Sequence, residues 1–212
     1  MYNNKLLKTS LLLVCLLISA VASAHHPLGG AMPANFFEGL LSGFGHPIIG
    51  LDHFAFIIAA GLLAWKLGSP VRLVLSFIVA TAIGSLVISS GVNISITEPS
   101  VLASVAIVGV LLAANKTPGV TQIQIFYVVA GFFHGCAYGG AVIGAESTPI
   151  IAYLIGFSII QATIALAAIK GIEWLSKNNQ DSKLAMARLV GAAVFGIAFS
   201  YGFEIAEAAV LG

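Results

Sequence analysis

Residues 45–56 read GHPIIGLDHFAF, a stretch apolar enough to lie in a membrane that nonetheless carries two imidazoles and a carboxylate, His46, Asp52 and His53. Whether these groups belong to a soluble core or to a chain set in lipid is decided by the residues around them. Of 212 residues 59% are hydrophobic and 8% charged, and the mean hydropathy is +1.04. An ordinary soluble domain is roughly one quarter charged. The chain therefore reads as an all-α integral membrane protein, in which helices satisfy every backbone polar group internally. A net charge of +1, with no basic run and no aromatics interleaved with Arg or Lys, leaves nucleic acid nothing to bind.

The first 24 residues stand apart. Lys5 and Lys8, the apolar run Leu11 to Val21, and Ala22-Ser23-Ala24 form the three parts of a cleavable signal peptide. Cleavage before His25 leaves Cys136 as the single cysteine of the mature chain, so no disulfide forms within it. The remainder, 25–212, reads as one transmembrane domain. Six apolar stretches of spanning length, near 45–65, 71–91, 98–114, 121–144, 149–170 and 185–208, predict six transmembrane helices, each needing roughly 20 residues to cross. Turn-forming and charged segments separate them, among them Gly68-Ser69-Pro70, Glu98-Pro99 and Thr117-Pro118-Gly119.

Lysines and arginines favour cytoplasmic loops. With the mature N-terminus outside, the first, third and fifth loops and their helix ends hold Lys66, Arg72, Lys116, Lys170, Lys177, Lys183 and Arg188. Outward segments hold Glu98, Glu146 and Glu207. This pattern predicts both mature termini on the outer side of the inner membrane. Gly131, Gly135 and Gly139 recur every fourth residue of the fourth stretch, a spacing that lets helix backbones approach closely in lipid.

Counting about 1.5 Å of rise per residue places the polar groups by depth. His46 falls at the outer rim, His53 roughly 10 Å deeper, and His134, entering from the opposite chain direction, roughly 15 Å in. Tyr138 stands one turn from His134, and Gln161 and Glu204 fall in the same outer half. Ionisable groups at such depth are costly and mark functional sites by default. Imidazole with carboxylate suits borderline divalent ions such as nickel, cobalt and zinc better than calcium or magnesium. Each residue alone is also compatible with structural hydrogen bonding between helices, and Cys136 with a small buried apolar role.

His46 and His53 are seven residues apart, about 10 Å along a straight helix, too far to share one ion with bonds of about 2 Å. Pro47 and Gly50 lie between them and predict a bend, an unwound segment, or a helix that starts only after His46. Either the bend brings His46 down to His53, or His46 forms an outer site above one made by Asp52, His53 and His134.

His46-Pro47-x-x-Gly50-x-Asp52-His53, followed by Phe133-His134-Gly135-x-Ala137-Tyr138-Gly139, resembles the HupE/UreJ family of nickel and cobalt permeases, which are associated with nickel hydrogenases and ureases. The resemblance spans the mature chain and implies metal-binding roles for His46, Asp52, His53 and His134. Many members carry a second histidine and a carboxylate soon after the His-Gly pair. Here Tyr138 and Gly140-Ala141 occupy those positions, with Glu146 as the nearest substitute.

Cleavage before His25 would also let its amine and imidazole, with His26 beside them, capture an ion and pass it to His46. No phosphate-binding Gly-rich loop with Lys and Ser or Thr occurs. An inside-negative potential supplies about 2.3 kcal/mol per charge per 100 mV, enough to concentrate a divalent cation. The sequence thus predicts a permease without a prosthetic group, carrying Ni2+ or Co2+. A metalloenzyme with activated water is the rival, and a metal sensor or delivery subunit a third reading.

Overall fold

The structure is a computed structural model and describes residues 31–176 and 179–211. Seven α-helices follow one another: α1 (Phe36–Ile49), α2 (Leu51–Lys66), α3 (Pro70–Ser89), α4 (Thr97–Ala113), α5 (Val120–Gly139), α6 (Ser147–Leu175) and α7 (Gln180–Leu211). One 3-10 turn, Gly140–Val142, extends α5. The expected signal peptide, with His25 and His26, lies outside the described residues, as does Lys177.

Four helices, α3, α5 with its 3-10 turn, α6 and α7, are long and apolar enough to cross a membrane. The pair α1 and α2, bent by 79° at Gly50, makes a fifth candidate span. Helix α4 is apolar but has 17 residues, about 25 Å of rise, and falls short of the usual spanning length. Six stretches of the sequence thus correspond to four or five candidate spans and one shorter helix.

The first stretch differs most from expectation. Its helix begins at Phe36, well before residue 45, because the Asn35 side chain caps it. Asn35 Oδ1 accepts from the Glu38 amide at 3.0 Å, Asn35 Nδ2 donates to Glu38 Oε1 at 2.7 Å, and Glu38 Oε2 accepts from the Ala34 amide. The helix then runs straight through Pro47 and breaks at Gly50. In the last turn, proline forfeits a single amide hydrogen bond, and α1 absorbs that loss.

Helix α2 sits at the centre of the bundle. Ala55, Phe56, Ile57, Ala59, Ala60, Leu62, Leu63 and Ala64 are buried, so this helix is apolar all round and covered all round. Around it three helix pairs close on glycine. Atoms placed as Cβ on Gly131 and Gly139 of α5 would lie 2.5 and 2.6 Å from the Phe77 and Ser85 carbonyl oxygens of α3, and one on Gly135 would meet the Thr81 carbonyl. Gly39, Gly43 and Gly156 do the same between α1 and α6, and Gly109 and Gly191 between α4 and α7. Small residues let these backbones touch where lipid gives no hydrophobic drive. The outer surface carries exposed Val71, Ile125, Leu189 and Phe199, an apolar face suited to acyl chains.

The basic side chains gather at one end of the helices, with Glu173 and Asp181 among them. Asp52 and Glu98 stand in the first turns of α2 and α4. At the opposite ends Lys66 Nζ donates to the Lys116 carbonyl at 3.2 Å, and Arg188 Nε donates to the Ala113 carbonyl at 3.1 Å.

Candidate functional site

The 79° bend carries His46, in the last turn of α1, toward His53, in the first turn of α2. Their ring centroids are 6.1 Å apart, where a straight helix would separate them by about 10 Å along its axis. Two imidazoles, each placing a nitrogen about 2.1 Å from one ion, span a separation of this size. Gly50 makes the bend possible for a reason the sequence does not suggest. Its φ and ψ of −72° and 102° are open to any residue. A Cβ there, however, would lie 2.7 Å from His53 Cδ2 and 3.3 Å from Asp52 Oδ1. Glycine is required by the close approach of the imidazole.

His53 meets His134 across the bundle, Nδ1 to Nδ1 at 2.8 Å, so the depth count from two chain directions ends in direct contact. His134 is fully buried, its ring against Phe56 and Phe77 with centroids at 4.4 and 5.6 Å. Its other nitrogen, Nε2, lies 2.9 Å from Ser104 Oγ, and that hydroxyl is also 2.7 Å from the Val101 carbonyl. With the Ser104 proton on Val101 O, Ser104 accepts from His134 Nε2–H. His134 Nδ1 then accepts from His53 Nδ1–H, and the lone pair of His53 is at Nε2.

A second chain of the same logic holds His46. The Tyr153 hydroxyl lies 2.9 Å from the Tyr138 carbonyl and 3.0 Å from His46 Nδ1. When it donates to the carbonyl, it accepts from His46 Nδ1–H, and the lone pair of His46 is likewise at Nε2. These are the settings a metal ligand requires, with the second nitrogen fixing ring orientation. Tyr138 packs against both rings, with centroids 4.9 Å from His46 and 4.6 Å from His53.

A cavity of about 460 Å³ is lined by His46, Asp52, His53, Glu98, Ala137, Gly140 and Ala141. Asp52 Oδ1 accepts from the His53 amide at 2.8 Å, which ties the carboxylate to the first turn of α2. Two imidazoles and two carboxylates thus border one opening. Among the described residues, no three His, Cys, Asp or Glu side chains are already drawn together as a coordination sphere.

The remaining sequence candidates are dispersed. Glu146 is exposed at the start of α6, and Glu204 is exposed on α7; neither lines the cavity. Gln161 is fully buried on α6 and also stands outside the lining. Cys136 is buried and free, likewise outside it. Three residues at or behind the cavity are not singled out by the sequence: Glu98, Ser104 and Tyr153. The Glu98-Pro99 pair marks a helix start and so a place where a carboxylate favours the dipole, the one signal in the sequence that could have pointed to it.

Comparison with known proteins agrees with the motif. Protein HupE of Rhizobium leguminosarum bv. viciae is 27% identical over 189 residues, which cover 88% of this chain and 93% of that protein. No solved structure matches the chain. The family described as HupE / UreJ protein matches residues 12–201, nearly the whole length, and the chain belongs to the HupE/UreJ family.

Proposed function

We propose that this protein is a secondary permease that takes up Ni2+, or Co2+, from the outer face of the inner membrane and releases it to the cytoplasm. The observation that carries this reading is the bend at Gly50, which brings His46 and His53 within 6.1 Å beside Asp52 and Glu98 at one cavity. His46 and His53 bind the ion through Nε2, with Asp52 and Glu98 supplying charge that offsets its dehydration. His134, whose two ring nitrogens are both engaged, orients His53 rather than touching the ion. Glu146 stands apart from this set, and His25 and His26 would act upstream of it as capture residues after signal cleavage.

In this reading α1 and α2 together make one span and α4 a short one. That gives six spans with both mature termini outside, and the helix ends bearing Lys66, Lys116 and Arg188 face the cytoplasm. The ion delivered serves nickel hydrogenase or urease maturation. The same donors in an enzyme or a sensor would bind without moving the ion, so flux separates the readings. Proteoliposomes containing this protein alone are expected to take up labelled Ni2+ under an inside-negative potential, and His53→Ala to abolish that uptake. Tight binding with no flux in the unaltered protein would reject the permease.

A further inference from the structure

Three cations meet at the end of α4 opposite the cavity. Lys66 closes α2, Lys116 follows α4, and Arg188 lies on α7. Lys66 Nζ donates to the Lys116 carbonyl and Arg188 Nε to the Ala113 carbonyl, so both side chains reach one helix end, where unpaired carbonyls favour positive charge. That capping uses a single N–H of each. The rest of the ammonium and of the guanidinium has no partner among the described residues, and the exposed Lys116 ammonium makes no bond there at all. Lys66 and Arg188 also lie near enough to repel each other. Among the described residues no carboxylate pairs with these three: Glu173 is held by Lys170 at 3.0 Å, and Asp181 precedes Arg188 by seven residues, about 10 Å along α7. Arg72, at the same end, differs in directing its guanidinium to Gln124.

Depth along the bundle gives the missing anion an identity. Helix α4 has 17 residues, and α7, with 32, runs on past it: Arg188 stands eight residues, about 12 Å, inside the start of α7 at Gln180. The cations therefore sit at the level of lipid phosphates, and exposed Val110 and Leu189 lie within a turn of them on the membrane side. We infer that Lys66, Lys116 and Arg188 hold the phosphate of an anionic phospholipid, in the leaflet that is cytoplasmic in the proposed orientation. The phosphate oxygens accept from the unpartnered N–H groups and relieve the repulsion between the cations, while the acyl chains run against Val110 and Leu189. Basic recesses between helices at the cytoplasmic face suit such headgroups. The bound lipid joins α2, α4 and α7 at a point where no acidic side chain does so. Nothing in this depends on the ion that the outer cavity binds.

The test is native mass spectrometry of the full chain in detergent with an equimolar mixture of phosphatidylglycerol and phosphatidylcholine, together with Tm in each lipid. The unaltered protein is expected to retain phosphatidylglycerol preferentially and to melt higher in its presence. Lys66→Gln, Lys116→Gln and Arg188→Gln are each expected to lower that retention about fivefold. Because the Lys116 side chain makes no bond among the described residues, its variant reads binding even where the other two fail to fold. Lys170→Gln removes the same charge from a paired position at this end, and is expected to change retention by less than about twofold. Equal retention of the two lipids overturns the site. So does an equal loss in Lys170→Gln, which would reduce the effect to net charge. Inorganic phosphate that raises Tm as much as phosphatidylglycerol overturns the lipid as occupant.

Discussion

Single side chains here act through the proton settings they impose. Ser104 never approaches the cavity, yet its contact with His134 Nε2 decides which nitrogen of His53 carries the lone pair. Removing such an orienting partner costs about 10–100-fold in metal affinity. Ser104→Ala is therefore expected to weaken Co2+ binding by about tenfold while leaving the apolar packing of α4 undisturbed. Titration of the purified variant in detergent reads this directly, and unchanged affinity would free His134 to be a ligand. His53 and His134 were legible in the sequence because an imidazole in lipid is conspicuous and depth can be counted. Ser104 and Tyr153 were not, because a hydroxyl in a membrane helix ordinarily bonds its own backbone, and only the partner across the bundle gives it a role. Glu98 escaped for another reason: a carboxylate at a helix start reads as a loop residue until tertiary structure lays it over the cavity.

At the scale of helices, the seams between pairs are set by glycine. Gly135→Ala would drive a methyl group into the Thr81 carbonyl, so α3 and α5 must part along a contact that Gly131 and Gly139 also share. The expected cost is about 1–3 kcal/mol, seen as a lowered Tm. Gly171→Ala is the control, since a Cβ there meets no atom within 4 Å and alanine favours the helix. If both variants melt alike, the seam is not what holds the pair. Periodic glycine and hydrophobic stretches made most helices readable in advance. Helix α1 is the exception, because Gly39, Ser42, Gly43 and Gly45 dilute its hydropathy and leave the Asn35 N-cap as its remaining local signal. The bend fell at Gly50 rather than Pro47 because proline near a helix end costs little, whereas the His53 ring leaves room for no side chain at residue 50.

For the whole molecule, the lysines and arginines gathered at one end predict which way it faces. Ser95 lies in the exposed turn before α4, at the end bearing Glu98, and Thr117 in the exposed turn beyond α4, beside Lys116. With Cys136 buried, Ser95→Cys is expected to react with a membrane-impermeant maleimide in intact cells. Thr117→Cys is expected to react only after permeabilisation. The reverse pattern would turn the protein over and make the cavity an exit.

The bend at Gly50 also has a mechanical meaning. His46 belongs to α1, which is locked to α6 through Gly39, Gly43 and Gly156, whereas His53 belongs to the central α2. The two imidazoles thus ride on two helices joined at one residue, both of which pack on α6. His46 lies four residues, about 6 Å, from that joint, so a swing of about 10° would displace it by about 1 Å. Metal–nitrogen bonds tolerate about 0.2 Å. In the proposed permease the angle between α1 and α2 would therefore act as a lever on affinity, since a small rotation separates the two imidazoles that hold the ion.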